Sequence, residues 1–211
     1  MTGPKCRICR RLGVKLFLKG ERCFTQKCEI IKRNYPPGLR NKKRRGKISN
    51  YGKGLIEKQK LKNWYNLSEE QFSRYVKKIL KEKKGQTEIN TGDQLIKVLE
   101  GRLDNIVYKM GFAVSRILAR QMVNHGHFEV NGQKIDIPSY QIKEGDEVGV
   151  RASSKNKKKF QLIKETLKEF NPSPWLFLDK AQIKGKVIKL PSSEEANVPV
   201  ETSIIFEFYS K

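Results

Sequence analysis

The sequence predicts an α+β chain: a metal-stapled N-terminal knob, a mostly helical domain, and a second α+β domain carrying a helix–hairpin module. Three observations predict it. Cys6, Cys9, Cys23 and Cys28 are the only cysteines in 211 residues and are spaced C-x2-C-x13-C-x4-C. Amphipathic helical periods begin at Ser68 and recur to about Val123. Around Asn131-Gly132 the apolar period changes from helical to alternating.

The cysteine pairs come first. Two close pairs separated by a short loop suit a tetrahedral thiolate site, each pair reaching one ion. No apolar signal-peptide core precedes them, so a reducing compartment is expected, where a metal site is favoured over two disulfides. Zn2+ is the first expectation and an iron–sulfur cluster the alternative; the spacing does not separate them. Four protein ligands leave no open position, so the metal's job is structural. It substitutes for the apolar core that residues 1–45 are too short and too polar to build.

Tyr35-Pro36-Pro37-Gly38 breaks the chain, and a basic arm follows at Lys42, Lys43, Arg44, Arg45 and Lys47. Regular helix is expected only from Ser68, where Ser68-Glu69-Glu70-Gln71 reads as a capping box. Phe72, Tyr75, Val76, Ile79 and Leu80 give that helix one apolar face. Gly85 ends it. Thr91-Gly92-Asp93-Gln94 opens a second helix with a stripe at Leu95, Leu99, Leu103, Ile106, Val107 and Met110, stopped by Gly111. Ser115 caps a third, through about Val123 and closed near Gly126.

Strands follow. Phe128-Glu129-Val130 and Lys134-Ile135-Asp136-Ile137 flank Asn131-Gly132, a two-residue hairpin signal. Glu147-Val148-Gly149-Val150 reads as another strand. Residues 153–159 form a basic linker or helix lead-in, and Ser203 to Tyr209 reads as a terminal strand. The resulting segments are 1–45 (metal-binding and basic), 46–90 (helical), 91–152 (helix–hairpin) and 153–211 (completing the body).

The net charge is +23 and unevenly placed. Residues 1–63 hold 20 basic against 3 acidic side chains, and residues 151–168 carry a further excess of six. A merely solvated surface intersperses its signs; concentration points to a polyanionic partner. No run of about 18 apolar residues exists to cross a membrane. No basic stretch carries the apolar face needed to lie on one. Nucleic acid is the expected partner, with strong salt dependence from counterion release.

The third helix places Arg116, Arg120 and Asn124 at i, i+4 and i+8, opposite Leu118, Ala119, Met122 and Val123. Both guanidiniums are therefore expected to face outward, where their planar forks suit phosphate. His125, His127, Asn131, Gly132 and Lys134 follow at the turn, and Arg102 precedes them. Only two histidines exist, so a contact role is expected for them rather than catalysis. On the N-terminal side the expected contacts are Arg10 and Arg11 on the knob, the arm residues, and Tyr51, Lys58, Gln59 and Lys60.

The segments Gly101 to Phe112, Ala119 to Gly126 and Val130 to Gly132 resemble the RNA-binding domain of the ribosomal protein S4 family, bacterial or organellar type. Tyr51-Gly52, Glu57 to Lys60, Gln71-Phe72, Tyr75, Trp175-Leu176, Asp179, Gly185-Lys186, Leu190-Pro191 and Phe208 to Ser210 resemble that family's landmarks in order. The cysteine spacing is similar to its metal-binding branch. The resemblance implies a cytoplasmic, ribosomal, non-enzymatic protein. Such a protein binds small-subunit rRNA at a helical junction of the 16S 5′ domain and nucleates assembly. It touches the fifth small-subunit protein, lies near the mRNA where it enters the subunit, and influences decoding accuracy. No small-molecule substrate is implied. Two departures stand out: a slightly short amino terminus, and Val114-Ser115-Arg116-Ile117-Leu118 where an acidic residue is common.

Two rivals are weaker. An RNA-modifying enzyme would need a catalytic domain, and the sequence offers no nucleophile–base pair or phosphate-binding glycine loop. A zinc-finger DNA regulator would need a recognition helix where Tyr35 to Gly38 interrupts the chain.

Overall fold

The computed structural model describes residues 4–38, 47–83 and 90–210. It forms two compact units, Met1–Leu95 with Asn197–Lys211, and Ile96–Ala196. Residues 153–211, read from sequence as one C-terminal part, are divided between them. Among the described residues no helix is long and apolar enough to cross a membrane.

The first unit opens with α1 (Lys5–Leu12), ended by Gly13 in the left-handed region. A 3-10 turn (Gly20–Cys23) and the short α2 (Glu29–Lys32) follow. The next helix, α3 (Asn50–Trp64), begins well before the Ser68 start expected for regular helix. Its sequence has no apolar stripe and contains two glycines, which hid it. Ser49 starts it by accepting the Gly52 N–H at 3.1 Å. A Cβ on Gly54 would stand 3.0 Å from Phe208 Cδ2, so that glycine serves close approach by a neighbouring helix.

The capping box forms as expected. Ser68 Oγ accepts from the Gln71 N–H at 3.2 Å, and Gln71 Oε1 accepts from the Ser68 N–H at 3.4 Å. It opens α4 (Glu69–Lys83), which buries Phe72, Val76 and Ile79. The Gly85 stop lies outside the described residues.

The expected terminal strand is instead a helix, α11 (Thr202–Ser210). A short apolar run satisfies both periods, and packing decided it. As a helix it buries Ile205 and Phe206 and lies against α3 and α4. A strand would have needed a hydrogen-bonding edge, and the described sheet belongs to the other unit.

The long helix expected from 91 to 110, which begins in the first unit and continues into the second, is broken. It forms α5 (Thr91–Glu100) and α6 (Leu103–Lys109), with Arg102 extended between them. Tertiary bonds impose the break: Ile142 N–H donates to Gly101 O at 2.8 Å, and Leu103 N–H donates to Tyr140 O at 2.9 Å. Asn90 caps α5 one residue earlier than expected, accepting the Gly92 N–H at 3.1 Å. Ser115 caps α7 (Arg116–Asn124), accepting from Leu118 N–H at 3.3 Å.

The sheet contains β1 (Phe128–Val130), β2 (Gln133–Ile135), β3 (Glu147–Val150), β4 (Leu176–Asp179) and β5 (Lys184–Val187). Its order is β2-β1-β3-β5-β4, all pairs antiparallel. The hairpin turn is as expected, with Asn131 and Gly132 at φ 50 and 78. β2 is shorter than expected: Asp136 and Ile137 leave it and are exposed. The basic stretch at 153–159 folds into α8 (Ala152–Lys155) and the start of α9 (Lys158–Leu167). A short α10 (Ser193–Ala196) follows β5. One sheet face, with Phe128, Val148, Val150 and Val187, joins Val107, Met122, Phe160 and Trp175 in a single core.

Candidate nucleic-acid interface

At the knob, all four cysteines line one cavity of about 20 Å3, together with Leu18, Lys19 and Glu29. That is room for one ion or one water. The Lys19 N–H points at Cys23 Sγ at 3.4 Å, a donor that would favour a thiolate. Burial pushes the Cys9 and Cys23 thiols up, so two of these sulfurs are costly to ionise without a cation beside them. Among the described residues no three Cys, His, Asp or Glu side chains already stand as a ligand cluster. Four thiols lining one small cavity are nevertheless the donor set that a thiolate-loving metal takes.

Around the knob, Arg10 turns inward. Its Nε donates to Arg33 O at 3.1 Å and Tyr35 O at 3.0 Å, and its guanidinium lies 4.7 Å over the Tyr35 ring. Arg11, Lys47 and Tyr51 are exposed. Lys42, Lys43, Arg44 and Arg45 lie outside the described residues. Lys58 is buried, donating to Glu69 at 2.7 Å with its ammonium 5.0 Å over Phe208. Lys60 is half-buried and paired with Glu57 at 2.6 Å, and Gln59 is half-buried. Lys58 thus ties α3 to α4 and α11, while the Lys60 charge is partnered within α3 itself.

The second unit corrects the helical-wheel expectation. Arg116 is not offered outward; it is 7% exposed. Its Nε donates to Asn105 Oδ1 at 2.9 Å, and its guanidinium lies 4.5 Å over Tyr108. Asn105 in turn donates to Glu100 Oε2 at 2.7 Å, and Glu100 is fully buried. Arg102 is buried too, gripping Asp104 through Nε–Oδ1 at 3.1 Å and Nη2–Oδ2 at 2.9 Å. Arg120, half-buried, stands 3.9 Å from the same carboxylate. The wheel correctly finds a polar face but does not see that α6 and its approach cover the first turn of that face. Acids at 100 and 104, just ahead of the helix, were the signal available.

What remains outward is the far end of α7 and the hairpin. Asn124 and His125 are exposed, as are Asn131, Gly132 and Lys134. The Asn131 side chain is fixed from both ends: Nδ2 donates to Asp146 Oδ1 at 2.8 Å, and Oδ1 accepts the Glu147 N–H at 2.9 Å. The Lys134 stem crosses Gly126 so closely that a Cβ there would meet its Cε at 2.6 Å. His127 is half-buried, with Nδ1 3.0 Å from Ser154 Oγ and its ring edge-to-face on Phe160 at 5.4 Å. Burial, then Lys157, Lys159 and His125, pull its pKa below the ordinary histidine value. Its ring is therefore a neutral, fixed group at pH 7.

Similarity to known proteins agrees with this architecture. Residues 1–100 match the family model for the ribosomal protein S4/S9 N-terminal domain, and residues 101–148 match the S4 domain. Small ribosomal subunit protein uS4A of Alkaliphilus metalliredigens is 49% identical over 210 residues, covering 100% of this chain and 98% of the relative. Small ribosomal subunit protein uS4 of Thermus thermophilus is 47% identical over 209 residues, covering 99% and 98%. With two adjoining family matches and relatives aligned along the full chain, the protein belongs to the uS4 family of small-subunit ribosomal proteins, a structural and not an enzymatic family.

Proposed function

We propose that the chain is a primary binder of small-subunit rRNA that docks on a helical junction of the 16S 5′ domain and nucleates assembly. The observation that carries this reading is the α7–hairpin end. Asn124, His125, Asn131 and Lys134 are presented there together, on a hairpin turn that the Asn131 side chain fixes through Asp146 and Glu147. A-form RNA hides its major-groove edges, so a folded junction is recognised through phosphates, 2′-hydroxyls and shape. A rigid turn suits that task because little ordering remains to be done on binding.

The first unit would supply the second contact, through cations of the knob and of the basic arm that the sequence places after Gly38. Two contacts on one RNA raise effective concentration and hold the junction arms together. Cys6, Cys9, Cys23 and Cys28 would hold Zn2+, the iron–sulfur alternative needing more room than a cavity of about 20 Å3, and the ion when bound supplies cross-linking of the knob and no chemistry on substrate. A groove lined by Ile48, Lys53, Ile56, Glu57, Glu201 and Ile204 supports a protein neighbour. Its lining, three isoleucines with Lys53, Glu57 and Glu201, is less basic than the rest of this cationic chain; the fifth small-subunit protein is the proposed occupant. Through that contact, and by lying near the incoming mRNA, the protein would influence decoding accuracy.

The test is affinity for a 5′-domain transcript against a scrambled RNA of equal length, at several salt concentrations. A preference of at least tenfold that persists at high salt is expected. Equal affinities falling together with salt would refute the reading.

A further inference from the structure

We propose that residues 151–159 form a second wall of the RNA site, in which Arg151, Lys157 and Lys159 clamp a backbone phosphate against the turn between α7 and β1. This rests on the RNA-binding reading above and extends it beyond residue 148, where the S4-domain match ends.

From Val148 to Lys164 there is no Asp or Glu, while Arg151, Lys155, Lys157, Lys158, Lys159 and Lys164 fall within it. On a linker such a run is merely solvated. Here it is folded back on the turn at several points. Arg151 N–H donates to His127 O at 3.0 Å, and Arg151 Nη1 donates to Gly126 O at 3.4 Å. Ser154 Oγ meets His127 Nδ1, and buried Phe160 meets the rings of His127 and Phe128. The cations are therefore carried on a fixed frame.

That frame concentrates like charge without neutralising it. The ion pairs of this unit among the described residues run elsewhere: Arg102 and Arg120 to Asp104, Lys134 to Asp136, Lys184 to Glu147, and Lys189 to Glu195. Lys159 is half-buried, where desolvation disfavours its charge. Crowded, partly desolvated cations destabilise the free fold and are stabilised by an anion. Lys134 lies across Gly126, its Nζ 3.3 Å from where a Cβ would stand, so a further cation borders the same turn. On a protein that binds RNA beside this turn, that anion is a phosphodiester.

The test uses the full chain, the 5′-domain transcript and the scrambled RNA. Lys157→Ala/Lys159→Ala is compared with Lys164→Ala/Lys168→Ala, which removes equal charge from exposed positions farther along the chain. The first pair is expected to weaken binding about tenfold and to reduce the salt slope by about one for each phosphate no longer neutralised, the second pair less than threefold. Lys157→Gln/Lys159→Gln, with circular dichroism melting of each variant, separates binding loss from unfolding. Equal losses for the two pairs on both RNAs would overturn the clamp. Because the pairs are also compared on the scrambled RNA, failure of the 5′-domain preference and failure of the clamp register separately.

Discussion

Asp104→Ala should be one of the most damaging single substitutions in the second unit. The Asp104 side chain is 6% exposed and that of Arg102 is 1% exposed, and they share two hydrogen bonds. Removing the carboxylate takes away both charge-assisted hydrogen bonds that the buried guanidinium makes to Asp104. Breaking a buried pair in this way costs about 3–5 kcal/mol, more than the net worth of the intact pair, because desolvation of the survivor is no longer offset. With a urea dependence of about 1–3 kcal/mol per molar, the midpoint should fall by roughly 1–5 M. Trp175 is a suitable reporter: it is 1% exposed within the same core, and Trp64→Phe removes the only other tryptophan. The double variant Arg102→Met/Asp104→Leu should recover much of the loss, since apolar residues can replace such pairs at little cost. A single-variant loss below about 1 kcal/mol, or a double variant as unstable as the single, would refute this account.

Two further outcomes follow from the geometry. Glu69 is subject to opposing influences: burial raises its pKa, while hydrogen bonds and charge from Lys58 and Lys62 win and hold it below the ordinary 4.5. Its contribution is therefore fully present above that value and lost as pH falls through the folded-state value. Melting curves of wild type and Glu69→Gln should differ at neutral pH and converge in acid; a gap that widens in acid would contradict the sign. Cys9→Ser, or chelation, should speed amide exchange across Lys5–Lys32 while Ile96–Ala196 keeps its protection; acceleration across both would show that the knob is not a local staple.

Local signals were legible, and signals that depend on a distant neighbour were not. The Ser68–Gln71 box, the Ser115 cap and the Asn131-Gly132 hairpin are each written within four residues, and each formed. The break at Gly101–Arg102 is set by Tyr140 and Ile142, some forty residues away. α3 reads as polar and glycine-interrupted until Phe208 is placed over Gly54. At the site, the exposed turn residues were readable from the hairpin signal. The inward turn of Arg102 and Arg116 was not, because a wheel assigns a face without saying what covers it.

The return of α11 to α3 and α4 also sets an order of events on the translating ribosome. Ile96–Ala196 is one unbroken stretch, complete once its last residue has emerged. The unit begun first must wait for Ile205, Phe206 and Phe208, made about a hundred residues later. The earliest residues synthesised are thus the last to close their core. A premature stop near the end would strike that oldest unit, leaving Lys58 without the ring that covers it and Gly54 facing an empty groove.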